Sequence, residues 1–450
     1  MVIEQLKEKL YIEGEKVGFS HLELYYERTE SLTIGLYEGE VDKYDFSDVQ
    51  GASVRGLHNG KTGYAYTEKF DEEAVSYLLD SAWENAELNE TESEEFYQNQ
   101  ASYEDARFFT PELERIKPEE MIGFLQDVEK KILAYDPRVT KIATSQMRYQ
   151  KWEKGLLQHN GLALKETNNM LMFYVAVFVQ ANEELKTGTT FRMTKDFKGI
   201  NADEVAKEAV EQALSMLGEQ SYPNKKYPVV LRNDAAASLL AVFVSSFSAQ
   251  TVQDNQSRLQ GKLGEKIAAE HVNLIDNPFL PEGVRSATFD AEGVPTRKRI
   301  VVEGGKLQTY FHNLKTAKKD GVETTGHASR NSYKDSVGIS PTNFYIESAT
   351  QTYEGLYEKI TEGIIITGLA GLHSGANPIS GDFSLAAEGY YVREGKIVGP
   401  TKQMTVAGNF LDLLQDIEEI GEDLEFLPMD YNGYIGSPSL KIKNLAITID

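Results

Sequence analysis

Seven histidines are the first place to look for metal chemistry, because neutral imidazole is the commonest side-chain metal ligand. They are His21, His58, His159, His271, His312, His327 and His373. None lies three or four residues from another, and neither HExxH nor HExxxH occurs. Those spacings would place two imidazoles on one helical face with a glutamate beside them. His58 and His159 fall in turns and read as solvated. His312 follows a strand and reads as structural. A site gathered from distant residues stays open. The chain has no cysteine, so it has no disulfide, no thiolate nucleophile and no thiolate-bound metal. There is no G-x-S-x-G elbow. Ser245, Ser246 and Ser248 sit in the apolar run AVFVSSFSAQ and read as packing and capping hydroxyls.

The segment from Gly368 to Gly375 is glycine-rich but lacks the Gly-Lys-Ser/Thr ending of a phosphate loop. Polar residues between glycines suit a loop that lets another backbone approach closely. His373, Ser374, Asn377, Asp382 and Ser384 are therefore the candidate peptide or partner contacts; the alternative is a set of tight turns joining strands. The residues alone nominate no catalytic residue, no metal ligand and no cofactor.

The elements that must position these groups follow an α+β pattern. A first unit, 1–110, opens with a helix whose Ile3, Leu6 and Leu10 share a face. Two alternating strand runs follow, Leu22–Tyr26 and Leu32–Leu36. A third run, 52–66, is broken at Asn59-Gly60, a type I′ hairpin signal. A helix over 71–88 closes the unit. A second unit, 111–222, repeats the order: a helix from Pro118 with Met121, Leu125, Val128 and Ile132 as its stripe, strands over 139–157, 170–179 and 189–193, and a helix over 202–217. The third and larger unit, 223–450, is β-rich. It carries a helix over 235–247 in its core and ends on a strand, 439–449, whose alternation slips by one residue. Two small helix–strand–hairpin–helix units in series, followed by a β-rich domain, suggest an old duplication or convergent α+β logic. Nothing shows the βαβ rhythm of a parallel sheet.

The 450 residues suit two or three domains. Lys and Arg number 46 against 70 Asp and Glu, a formal charge of −24. Phosphate backbones and anionic membranes repel such a chain, so nucleic acid and membrane are excluded as partners. Between Asp71 and Ala106 there are twelve acids and no Lys or Arg. Within that stretch, 89–100 reads as a solvated loop. The first residues carry Glu and Lys at helical spacing with no apolar signal segment. With the missing cysteines, this points to the cytoplasm.

Several segments, taken in order, resemble the TldD/PmbA family across nearly the whole chain. They are Glu38-Gly39-Glu40, Gly51–Gly56, Gly63–Thr67, Phe289–Thr296 (FDAEGVPT), Thr325–Ala328, Asn377–Gly389 (NPISGDFSLAAEG) and Val406–Asn409. The family, older members of which are called modulators of DNA gyrase, has two kinds of subunit. The TldD kind resembles a zinc peptidase, with HExxxH on a helix and a further Cys ligand. Counting back from Gly261-Lys-Leu-Gly264-Glu265 puts that window on 240–245 here. Leu240 and Ser245 then stand at the imidazole positions, Ala241 at the glutamate, and there is no Cys. The resemblance thus implies a TldE/PmbA-type subunit without zinc site or activity. It would pair with a TldD-type subunit in the proteolysis or maturation of unfolded or leader peptides. The alternatives are an active peptidase with an unrecognised site, or a stand-alone peptide-binding homodimer. On a 3.6-residue period Leu240, Val244 and Phe247 share one helical face, and they are expected to be buried.

Overall fold

The computed structural model describes residues 1–89, 95–98, 102–428 and 433–449. The architecture is α+β, with a β-rich C-terminal part. The first two units have the same element order. Unit one is α1 (Ile3–Lys16), β1 (Phe19–Tyr37), β2 (Glu40–His58), β3 (Lys61–Thr67) and α2 (Glu72–Leu88). After the one-turn α3 (Pro111–Glu114), unit two is α4 (Pro118–Tyr135), β4 (Val139–Gln158), β5 (Ala163–Ala181), β6 (Glu184–Thr194) and α5 (Ala202–Ser215).

The two units share one sheet, of strand order β3-β2-β1-β4-β5-β6, joined where β1 and β4 pair antiparallel from Glu23↔Gln158 to Leu36↔Ser145. Sequence alternation breaks β1 into two runs, yet it is a single strand of 19 residues. The polar residues Glu27–Ser31 look like a gap only if one face is assumed to be dry. The turns behave as expected. Asn59 and Gly60 take positive φ, 50° and 76°, as a type I′ hairpin requires.

The same packing device recurs in both units. A Cβ on Gly63 of β3 would stand 1.7 Å from the Ala82 carbonyl oxygen of α2, and one on Gly188 of β6 would stand 1.9 Å from that of Ala209 of α5. Each closing helix therefore lies directly on its strand through a glycine facing an alanine. This parallel supports the duplication reading.

All four long helices cover one face of the sheet. Leu6, Leu10, Leu78 and Leu79 pack on Leu22, Leu24 and Val54. Met121, Leu125, Val128, Val205 and Val210 pack on Ile34, Met147, Phe173 and Val175. The opposite face of the sheet meets the C-terminal part through Tyr25, Leu156, Phe289 and Tyr333.

The C-terminal part holds two larger sheets around a buried helix. β7 (Lys225–Leu231) lies in a seven-stranded sheet, and α6 (Asn233–Phe243) lies in the core shared with the six-stranded one. Pairing is mostly antiparallel. Two parallel pairs occur, Val229–Leu231 with Ile364–Ile366 and Asn343–Tyr345 with Tyr434–Gly436. The final strand, Leu440–Ile449, shows its slip as a register shift between Ile442 and Leu445. Among the described residues no helix is long and apolar enough to cross a membrane.

Three local expectations need correction. The helix expected over 235–247 ends at Phe243, and Val244–Phe247 form a 3-10 turn. His58 is not solvated. It is 8% exposed, accepts the Trp83 indole N–H at 3.2 Å and lies 3.3 Å from Glu87. The loop expected over 89–100 falls partly outside the described residues, at 90–94 and 99–100. Within it Phe96 is buried, its ring 4.4 Å from the Arg55 guanidinium carbon.

Candidate functional site

A cavity of about 420 Å³ separates the helix-free face of the long sheet from the C-terminal part. Side chains two residues apart on a strand point the same way, and cross-strand partners stand side by side. The cleft floor is therefore a grid. One row is Arg148, Met172 and Met193, on β4, β5 and β6. Another is Gln150 beside Met170, and a third is Thr29 beside Trp152. A further row, Glu27, Lys154 and Glu166, is charged. Facing this floor are Val284–Ala287, Phe289, Gly326–Asn331, Ser340–Thr342 and Tyr434.

The charged row is knitted to the C-terminal part. Glu27 accepts the Tyr333 amide at 3.0 Å, and burial raises its pKa above the ordinary carboxyl range. Glu166 accepts the Thr288 amide at 2.7 Å and lies 3.5 Å from Lys154. Behind it is a buried ionic cluster. Glu23 takes Arg330 at 2.9 Å, Arg55 at 3.0 Å and the Gln158 amide at 2.8 Å. Arg55 also lies 3.5 Å from Glu292. Burial pushes Glu292 up to about 8, with Arg55 pulling it down. Burial likewise raises Asp290, against the three backbone N–H groups it accepts, from Glu292, Val294 and Ala328.

One arrangement has the outline of a catalytic triad. His327 Nε2 lies 3.0 Å from Asp276 Oδ2, and its Nδ1 lies 2.8 Å from Thr325 Oγ1. The Thr325 hydroxyl, however, accepts the His312 amide N–H at 2.6 Å and is buried at 6% exposure. Thr325 is absent from the cleft wall, while Asp276 also accepts from the Thr342 amide and hydroxyl at 2.8 and 2.7 Å. The set is better read as a clamp holding the 325–328 and 340–342 segments together than as a nucleophile with its base.

Ser340 and Pro341, on the wall facing the floor, also line a second cavity of about 220 Å³. Its other walls are Val244, Ser245, Ser248, Gln250, Thr251, Phe311 and Ile339. The second cavity lies against the turn that follows α6. As expected, Leu240, Val244 and Phe247 are buried, at 1%, 3% and 0% exposure. Ala241 is fully buried, and Ser245 faces the second cavity from the 3-10 turn.

His373, Ser374, Asn377, Asp382 and Ser384 line neither cavity. His373 and Ser374 lie on the exposed turn Leu372–Gly375. Asn377 closes its own turn, accepting the Ile379 and Ser380 amides at 2.9 and 3.2 Å, and Asp382 accepts the Asn409 amide at 2.9 Å. Ser384 is an exposed residue of the strand Asp382–Arg393. The turn does touch the α6 end, where the Ser246 hydroxyl donates to the Pro378 carbonyl at 3.1 Å. Sequence reasoning missed Arg148, Gln150, Trp152 and the three methionines. The available signal was β4 itself, a strand with polar residues on both parities and a lone Trp152 among them.

Against known proteins, three consecutive segments match family models. Residues 22–86 match domain 1 of the PmbA/TldA metallopeptidases, 111–217 the central domain and 224–449 the C-terminal domain. A Thermotoga maritima protein, solved under the description of a candidate modulator of a DNA gyrase, superposes with a TM-score of 0.91 at 30% identity, over 99% of this chain and 100% of that one. The fold is also that of TldE from Thermococcus kodakarensis, with a TM-score of 0.90 at 23% identity, over 98% of this chain and 100% of that one. The metalloprotease PmbA of Escherichia coli is 24% identical over 92% of this chain and 90% of its own length. This chain belongs to the PmbA/TldD metallopeptidase family.

A zinc ion, which the family name implies, finds no fitting donors at the α6 end. Leu240 and Ala241 offer only carbon, and Ser245 a neutral hydroxyl. His312 Nδ1 is a buried nitrogen without a partner, but among the described residues no three His, Asp or Glu side chains converge as a metal set.

Proposed function

We propose that this chain is a TldE/PmbA-type subunit. It holds extended peptides in its cleft and relies on a TldD-type partner for zinc and bond cleavage. One observation carries the reading. A second cavity, sharing Ser340 and Pro341 with the cleft, lies against the turn after α6, and positions 240, 241 and 245, which the resemblance sets at the zinc motif, carry Leu, Ala and Ser. Those side chains have no means of polarising a peptide carbonyl through a metal, so the share of the work proposed for this chain is to bind and orient. The −24 charge argues against DNA as the bound polymer.

For partner association the favoured surface is the outer edge of β2. Strand β3 pairs with Ala52–His58, which leaves 40–50 without a strand neighbour on that side among the described residues. Val41, Tyr44, Phe46 and Val49 stand exposed along it. An unpaired edge with exposed apolar side chains is a ready template for another chain. The test is co-expression with a TldD-type subunit, followed by size-exclusion chromatography and a peptide cleavage assay. The reading expects a mixed complex that Tyr44→Asp with Phe46→Lys dissociates. A chain that ignores the TldD-type subunit and binds peptides as a homodimer would favour the stand-alone alternative.

A further inference from the structure

Most polar groups of the cleft floor are committed, and three are not. The Glu27–Lys154–Glu166 row is tied to Tyr333 and Thr288. In contrast, among the described residues the side chains of the half-buried Arg148, Gln150 and Trp152 have no hydrogen-bond acceptor, and Arg148 has no carboxylate within ion-pair distance. Arg148 Nε is buried and without a hydrogen-bond partner. Buried polar groups are nearly always satisfied, and this guanidinium, in the cavity wall and without an acceptor among the described residues, has its terminal N–H groups left to take one. The wider charge makes it more unusual. In a chain of −24, the described residues of the cleft wall include four cations (Arg148, Lys154, Arg285, Arg330) and four carboxylates (Glu27, Glu153, Glu166, Asp290), which balance formally.

The spacing is informative as well. Arg148, Gln150 and Trp152 follow one another at every second residue of β4, so their bases lie about 7 Å apart on one face. That is the repeat of same-side groups on an extended peptide. Beside them Met170, Met172 and Met193 make a flexible apolar surface of the kind that accommodates varied side chains.

We infer that Arg148 is the anchor of a carboxylate subsite for an extended, apolar peptide. The peptide's carboxylate pairs with the Arg148 guanidinium. Its backbone carbonyls accept from Gln150 and Trp152, and an apolar side chain rests on the three methionines. This names the ligand class for the peptide-holding role proposed above and rests on that reading. The carboxylate is supplied either by the peptide C-terminus or by an internal Asp or Glu.

The test uses the full chain carrying Trp83→Phe, which leaves Trp152 as its only tryptophan and so as a reporter in the cleft wall. Three apolar nonapeptides of otherwise equal sequence are titrated. One has a free C-terminus, one is C-terminally amidated, and one is amidated with an internal Asp. At least one carboxylate peptide is expected to bind about tenfold or more tighter than the neutral one, the usual scale for a charge-assisted hydrogen bond. Whichever of the two does so identifies the source. Arg148→Gln should abolish that advantage, so that the three peptides bind alike, and Arg148→Lys should keep part of it. Because the wild-type comparison needs no Arg148 variant, a failure of Arg148→Gln to fold does not protect the proposal. Equal binding of all three peptides overturns the carboxylate subsite and leaves the peptide-holding role standing. Binding of none, by the chain alone or in its complex, overturns both.

Discussion

Arg330 and Glu23 lie 307 positions apart in the chain and meet at 2.9 Å, Nη2 to Oε1, with both side chains fully buried. The contact fastens the C-terminal part to β1. Arg330 also donates to Ser53 and to the Tyr64 hydroxyl, each at 3.1 Å, and stacks 4.7 Å from the Tyr25 ring centroid. Arg330 also lines the cleft.

Arg330→Met should therefore destabilise the chain by about 3–5 kcal/mol, since it leaves a buried glutamate with one cation fewer. The double variant Arg330→Met with Glu23→Gln should recover part of the loss. Chemical denaturation of the three variants checks this, and strictly additive losses would argue against direct coupling.

The same cluster makes stability depend on pH. An exposed glutamate in the unfolded chain titrates near about 4.3, whereas burial raises Glu292 to about 8 in the fold. Between those values the unfolded state has released a proton that the folded state keeps. Stability is thus fully present below about pH 4.3 and falls as pH rises toward 8, by at most about 1.4 kcal/mol per pH unit for one proton. Glu292→Gln should flatten that decline while keeping an acceptor for the Leu314 amide, now 2.8 Å from Oε2. Melting temperature against pH for both proteins is the measurement, and an unchanged slope would remove Glu292 as its source.

Gly63 and Gly188 should be equally intolerant of a methyl group, because both would drive it into a helix carbonyl, at 1.7 and 1.9 Å. Gly63→Ala and Gly188→Ala are each expected to destabilise by about 1–3 kcal/mol or more, as overpacking does. Gly123→Ala, with nothing near its Cβ, is the control and should be neutral or slightly stabilising. Equal stability of all three would show that the helices ride higher on their strands.

Writing the zinc motif back into α6 should fail. Leu240→His, Ala241→Glu and Ser245→His put two imidazoles and a carboxylate at positions of which the first two are 1% and 0% exposed. The helix also ends at Phe243, so 240 and 245 are not on one continuous α-helical face. The triple variant is expected to melt earlier, take up no stoichiometric zinc and cleave nothing. Zinc uptake with cleavage and an unchanged melting temperature would mean that the chamber keeps a catalytic shape.

Much of the fold was legible because its signals are local. The Asn59-Gly60 turn and the slip before Leu445 each follow from one or two residues. The single length of β1 was hidden because its middle, Glu27–Ser31, faces a cleft that only the C-terminal part creates. The cleft itself was hidden for the same reason. Arg148 and Tyr434 become neighbours across it through contacts spanning most of the chain, and the polar residues of β4 look like ordinary surface until the second wall is in place. The reading of 240, 241 and 245 as zinc-motif positions rests on resemblance alone, since a leucine, an alanine and a serine in an apolar run carry no signal of their own. The solvated reading of His58 failed because Trp83, on a different element, covers the turn.

The central claim, that this chain binds peptides and leaves the cutting to a partner, is tested most directly by zinc content and peptide hydrolysis measured together on the purified chain, alone and after mixing with a TldD-type subunit. The account predicts no stoichiometric zinc and no cleavage for the chain alone. In the complex it predicts zinc bound to the partner and cleavage of extended peptides that Arg148→Gln weakens. One tightly bound zinc per chain, with cleavage by the chain alone, would contradict it.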